Sequence, residues 1–446
     1  MTILLWTLAL SPLAIAVYAY ALYPAVLRLM GAAVPTADAD TKEWPHIGIS
    51  LPVYNEEAQI RGAVESLLAL DYPRDRLHIL VISDASSDAT DDIVRSYADR
   101  GVELLRMPKR GGKTVAENAG ALLLRGDIIV NTDASIRIMP DALKKLVRHF
   151  GDPAVGVASG RDVSVGAAPA DANAGEAGYV GYEMGIRALE TRRGGIIGAS
   201  GCFYAIRSQL HRVPLPDHLS RDFAAALIAR EHGFRSVSVD DAVCLVPRTP
   251  SLHSEYRRKV RTISRGMQTL AHKRALLNPG RYGRFAFMLW SHKVGRWAVP
   301  PAAVIGATAL AALALLGSRL ALLALLAAGP VLVLTLAGWY WRTARMPRVI
   351  SVCAAATAAN VAVLHAIIHA IAHTDPTWEP TRRQEVAGDG LPPGCEAAKQ
   401  IAEIHGSGNG AAIRGVSVSD SRTFGPGAAA GSAADALSHH NNIRER

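Results

Sequence analysis

The chain has 446 residues, a formal net charge of +9 and a mean hydropathy of +0.15. That length holds one large domain with appendages or two to three domains, and the apolar excess sits at the two ends of a middle of ordinary globular composition, against a wholly soluble chain. The basic balance suits anionic ligands or lipid headgroups, and the basic residues cluster beside apolar spans, which points away from nucleic acid.

Residues 3–27 are apolar and uncharged, long enough to cross a hydrocarbon core of about 30 Å. No basic stretch precedes them, which disfavours a cleaved signal peptide. Arg28 and Lys42 follow, so this first segment, within 1–30, is expected to exit on the cytoplasmic side.

The block 45–280 reads as an α/β domain. Ile47–Val53 is an expected strand, followed by a turn at Tyr54-Asn55-Glu56-Glu57 and a helix with Ile60, Val64, Leu67 and Leu68 on one face. The plan repeats with a strand over 77–82, a loop over 83–87 and a helix from Asp88, capped by Ser86 or Ser87 with Asp91 and Asp92 in its first turn. VELLRM is a third short strand and KTVAENAGALLL a helix. IIVNTDAS, residues 128–135, is a fourth apolar strand that ends in one carboxylate, Asp133. Strands alternating with helices imply a mostly parallel sheet covered on both faces, which binds ligands at the carboxyl ends of its strands. The polar clusters after residues 53, 83 and 132 all fall at such ends.

Further along, residues 281–297 read as an interfacial segment, and 298–317, 320–341 and 349–371 as three membrane helices within 298–372. Arg342, Arg345 and Arg348 mark the connection between the last two as cytoplasmic, in agreement with a cytosolic 45–280 block. The side on which the tail lies stays open. Residues 385–446 are rich in Gly, Ala and Ser and read as disordered. His365, His369 and His373 share one face of the last helix, as a polar stripe or a metal site. Cys202, Cys244, Cys353 and Cys395 form no C-x-x-C pair, so neither a disulfide framework nor a zinc site is expected.

RGGKT, residues 110–114, resembles the end of a phosphate-binding P-loop, but the Gly that the pattern needs six positions before Lys113 is Met107. Lys109, Arg110 and Lys113 still suit a diphosphate, or form a solvated basic loop. PVYNEE, VISDASSDAT, GGKTVAENAG and GDIIVNTDAS, in this order, resemble family 2 inverting glycosyltransferases. GASGCFYAIR, SRDFAAALIAREHGFRS and RRKVRTISRG extend the resemblance over about residues 45–300, and the membrane arrangement is similar to that of bacterial polysaccharide synthases. The resemblance implies a nucleotide-sugar-binding GT-A fold with a Rossmann-like sheet, in a cytosolic domain held at the inner membrane by transmembrane helices. It implies a UDP-sugar donor, a glycan or lipid-linked acceptor, membrane lipids as surroundings, and polysaccharide export subunits as candidate partners.

Residue by residue, the resemblance implies that Pro52, Tyr54 and Glu56 line the nucleotide pocket and that Asp84 holds the uracil imide. It puts Lys113 near the diphosphate, Asp133 beside a bridging Mg2+ or Mn2+, and Asp222 in the position of catalytic base. Asp222 is also the first-turn acid of a helix, and both roles are compatible. Arg261 and Arg265 either clamp the diphosphate or anchor an interfacial helix, and Ser200, Gly201, Phe203 and Tyr204 form either an acceptor-sugar contact or an ordinary strand-turn. The chain departs from the family at Ser135 (no second carboxylate), at Arg221 (an acidic residue in many members) and at Thr262 and Gly266 (Gln and Trp in processive synthases). The missing aromatic at Gly266 weakens the case for a processive polymerase, and together with the missing second carboxylate it motivates an alternative: a catalytically degenerate nucleotide-sugar-binding subunit that scaffolds an export complex.

Overall fold

The structure, a computed structural model, describes residues 1–31, 43–165, 174–247, 252–340 and 347–372. Within them the strands are β1 Ile47–Val53, β2 Leu77–Ser83, β3 Val102–Arg106, β4 Ile128–Thr132, β5 Arg137–Ile138, β6 Val155–Val165, β7 Phe203–Arg207 and β8 Arg235–Pro247. They form one eight-stranded sheet in the order β3-β2-β1-β4-β7-β6-β8-β5. β1 to β4 pair in parallel, as does β6 with β8; β7 runs antiparallel between β4 and β6, and β5 closes the β8 edge antiparallel.

The apolar run of β1 is buried at every position because helices cover both faces of the sheet. One face packs Ile60, Val64 and Leu67 of the helix Glu57–Leu68 and Leu143 and Leu146 of the helix Ala142–Val147. The other packs Ala224, Ala225 and Ile228 of the helix Arg221–Glu231. The expected helix from Asp88 begins instead at Thr90. Its first residues are taken up by the preceding loop: the Ser87 N–H donates to Asn55 Oδ1, and Asp88 accepts from Glu57 N and Thr90 N. The helix from Lys113 ends at Gly120, short of the apolar Ala-Leu-Leu-Leu that follows.

Among the described residues, four helices are long and apolar enough to cross a membrane: Thr2–Leu29, Arg284–Leu315, Arg319–Tyr340 and Val349–Ala372. The expected interfacial segment 281–297 is not separate from the spans. From Arg284 it continues through a π-helical turn, Leu289–Val294, into Gly295–Leu315. A third cluster, with Tyr23, Leu27, Phe223, Leu227, Phe285 and Leu289, joins these helices to the α/β domain. Beside it a buried polar chain does the same: Tyr23 Oη donates to Glu190, whose Oε1 lies 2.6 Å from His292 Nδ1. His292 Nε2 lies 2.7 Å from Glu183, which also takes Arg296. In the last helix His365 and His369 pair with each other, and Tyr256 of the helix Leu252–His272 contacts His365. His373, Cys395, the connection 341–346 and the tail 385–446 lie outside the described residues, and Cys202, Cys244 and Cys353 form no disulfide among the described residues.

Candidate active site

The carboxyl ends of β1, β2 and β4 meet as the alternation of strands and helices requires. Asn55 and Ala85, just beyond β1 and β2, both have positive φ, +51° and +58°. For Ala85, an L side chain in the left-handed region, that costs about 1 kcal/mol or more and needs a surrounding network to hold it. The two loops supply one. Asn55 N–H donates to Ser86 Oγ, Glu56 N–H to Thr90 Oγ1, and Ala89 N–H to Glu57 Oε2. Pro52 is buried in β1, pairing with Ile82 across the strands.

Asp84 closes β2 and is fully buried. Its Oδ1 accepts the Gly111 N–H and its Oδ2 the Gly112 N–H, both at 2.7 Å. Gly112, at φ +92°, makes the turn that folds the basic loop back over the strand end. In this conformation Asp84 therefore fixes the loop, a different use of the carboxylate from the base contact expected of it. Arg110 of the same loop stacks on the Tyr54 ring, 4.0 Å from its centroid.

Lys113 opens the helix Lys113–Gly120, and its Nζ donates to Asp133 Oδ1 at 2.6 Å. Burial disfavours the ammonium, but Asp133 and Glu117 outweigh burial and hold Lys113 protonated, its pKa raised, with Asp222 adding to the effect. Glu117, one turn after Lys113, is buried, and that burial raises its pKa against the charges of Lys113 and Arg221. The sequence reading missed Glu117; its i, i+4 spacing from Lys113 is the available signal.

Asp222 stands in the first turn of the helix Arg221–Glu231. Its Oδ1 accepts from Ser220 Oγ and, at 2.8 Å, from the Phe223 N–H. Gly201 faces it so closely that a Cβ there would lie 2.7 Å from Asp222 Oδ2. Arg221 points the other way and is buried. It donates to the His211 carbonyl and to Asn118 Oδ1, and lies 3.7 Å from Glu117. The departure at Arg221 thus compensates a buried carboxylate under the site.

Of GASGCFYAIR, Gly201 packs against Asp222. Ser200 is buried and its hydroxyl donates to Asp162, at 2.6 Å from Oδ1. Phe203 and Tyr204 are core residues of β7, opposite Thr132 and Asn131, and touch no surface. An acceptor sugar cannot stack on either ring. Arg265 donates to the carbonyls of Asp217, His218 and Leu219 and to Thr114 Oγ1 at 2.8 to 3.1 Å. Its guanidinium braces the segment leading into Asp222, and Thr269, one turn on, accepts the Ser220 N–H. Arg261 lies one turn before Arg265 on the same helix.

Six strands running one way, two running against them, and acidic side chains at the carboxyl ends make this a GT-A type nucleotide-sugar fold. The structure superposes on a mannosyltransferase from Pyrobaculum calidifontis, solved in complex with GDP-Man and Mn2+, at a TM-score of 0.66 and 23% identity, over 83% of this chain and 99% of that one. Residues 49–212 match the family described as Glycosyl transferase family 2, and the chain carries a domain of that family. A probable glycosyltransferase of Bacillus subtilis is 36% identical over 106 residues, 23% of this chain and 25% of its own length. The beta-monoglucosyldiacylglycerol synthase of Synechocystis is 33% identical over 125 residues, 27% and 26% of the two chains. The chain's match spans about a quarter of the length of these curated relatives.

Proposed function

We propose that the protein transfers a sugar, with inversion, from a nucleotide diphosphate sugar to an acceptor hydroxyl at a membrane surface. The reading extends to a UDP-sugar donor, a glycan or lipid-linked acceptor, and a multi-pass inner-membrane protein with its α/β domain in the cytosol, working in cell-surface or exopolysaccharide synthesis. The observation that carries it is that Asp222, in its Gly201 cradle, and Asp133, bonded to Lys113, both act on the Lys113 charge.

Asp222 is the base. It takes the acceptor proton while the acceptor oxygen bonds to the sugar's anomeric carbon and the bond from that carbon to the diphosphate breaks. Ser220 Oγ and the Phe223 N–H hold its Oδ1, leaving Oδ2, on the Gly201 side, for the acceptor. Lys113 supplies a permanent positive charge for the departing diphosphate, and the Tyr54–Arg110 stack covers the nucleotide. Asp84 orders the floor of that pocket through Gly111 and Gly112. Arg265 positions the Asp222 segment.

A divalent cation fits the donor set. Asp133 offers one partly exposed carboxylate, and among the described residues no three His, Cys, Asp or Glu side chains gather as a closed cage. Mg2+ and Mn2+ bound largely through diphosphate oxygens and water need only one or two protein carboxylates. When bound, the ion neutralises the leaving diphosphate. Asp133 would hold it, with Lys113 moving from Asp133 onto the diphosphate.

The test is to incubate membranes carrying the protein with a panel of labelled nucleotide sugars, following nucleotide release and label in lipid or polymer. Asp222→Asn is expected to keep donor binding and lose transfer. Transfer at the wild-type rate in that variant would remove Asp222 as base.

A further inference from the structure

Four arginines from three separate stretches of the chain, Arg193, Arg230, and Arg281 with Arg284, line one cavity of about 440 Å3, and none of its described lining residues is acidic. Like charges gathered in one pocket repel unless an anion joins them. The cavity's position says which anion. Arg193 Nε donates to the Leu27 carbonyl at 2.6 Å and its Nη2 to that of Arg28 at 3.1 Å, capping the last turn of the apolar helix Thr2–Leu29. Arg284 opens the apolar helix Arg284–Leu315. The cavity therefore sits where two candidate spans end, which is headgroup level for a chain crossing a bilayer. Arg281 and Arg284 are exposed, and Arg230 Nε is buried with no hydrogen-bond partner among the described residues. The cavity is also separate from the active site. Arg230 follows Asp222 by eight residues on the same helix, about 12 Å at 1.5 Å per residue.

We propose that this cavity binds the phosphate group of an anionic membrane lipid. Guanidinium groups match phosphate oxygens in charge and fork geometry, and basic pockets beside spans on the cytoplasmic side take such headgroups. Phe285 and Met288, which also line the cavity, give the lipid's glycerol and first methylenes an apolar wall. A bound headgroup ties both spans to the far end of the helix that carries Asp222. The proposal rests on the membrane reading of the apolar helices and not on the transfer reaction.

The full chain, purified in neutral detergent, is titrated with dioctanoyl phosphatidylglycerol, dioctanoyl phosphatidylcholine or inorganic phosphate while the thermal midpoint is followed. The anionic lipid is expected to raise the midpoint saturably, the other two much less. The double variant Arg281→Gln/Arg284→Gln is expected to weaken the apparent affinity for the anionic lipid about tenfold or more, since it removes two guanidinium contacts to the phosphate, with Arg281→Lys/Arg284→Lys in between. An equal shift from phosphatidylcholine, an equal shift from inorganic phosphate, or an unchanged affinity in the double Gln variant would each overturn the proposal. Fractionating cells into membrane and soluble pools tests the membrane reading separately, so the two failures are told apart.

Discussion

Gly201→Ala probes the geometry around Asp222 with a single methyl group. Gly201 does not have a positive φ, so alanine is acceptable to the backbone, and the substitution acts through space. The new Cβ would lie 2.7 Å from Asp222 Oδ2, with the rest of the carboxylate next at 3.7 Å. Restoring an ordinary contact needs a shift of roughly 0.5 Å. Asp222 has little freedom to give it, since Ser220 Oγ and the Phe223 N–H hold its Oδ1 and Arg265 braces the preceding carbonyls. A base misplaced by a sizeable fraction of an ångström costs about 10- to 100-fold in rate. The overpacking costs about 1–3 kcal/mol of stability, offset in part by about 0.4–1 kcal/mol from the stiffer unfolded chain. The expected result is therefore a fall in kcat of one to two orders of magnitude, with donor affinity unchanged and only a small drop in Tm. Single-turnover transfer and equilibrium donor binding on the same preparation measure the two quantities. A variant with wild-type kcat would refute the assignment of Oδ2 as the proton acceptor. A loss confined to donor affinity would place Gly201 in the donor pocket instead.

Three further outcomes are expected. Arg265→Lys should lower kcat and leave donor binding intact, because the guanidinium bonds backbone carbonyls next to Asp222; a comparable loss of donor affinity, read by titration, would restore the diphosphate-clamp reading. Excess chelator should stop transfer and added Mg2+ or Mn2+ should restore it, whereas undiminished turnover would remove a metal role for Asp133. His211 is buried beside Arg221 and Arg212, and burial first, then those charges, push its pKa well below the ordinary value. The unfolded chain takes up that proton near pH 6.5, so the fold should lose stability as pH falls below about 6.5. Thermal midpoints measured from pH 8 to pH 5 should drop less steeply in His211→Gln; parallel curves would show that His211 is not the group responsible.

The strand ends were legible because each rests on a local signal. An apolar run followed by Asn-Glu, Asp-Ala-Ser or Asp-Ala-Ser announces itself within ten residues, and parallel order follows from strand–helix alternation. The four apolar helices were legible from length and hydropathy alone. The acceptor reading of Phe203 and Tyr204 went astray because an aromatic pair after a Gly-rich turn looks the same whether it faces a ligand or the core. The helices packed on the two faces of the sheet bury both, Phe203 in one core and Tyr204 in the other.

What the sequence determined by itself was the class of sheet, the carboxylates at its strand ends and the apolar helices flanking it, since these depend on periodicity and composition over short windows. The tertiary structure alone decided how those side chains are used. Asp84 meets Gly111 and Gly112, Lys113 meets Asp133, Asp222 meets Gly201, and Arg265 meets the 217–219 carbonyls. Each contact joins residues some 20 to 50 positions apart. No local pattern encodes such a meeting, because it depends on where the sheet's packing brings separate chain segments together.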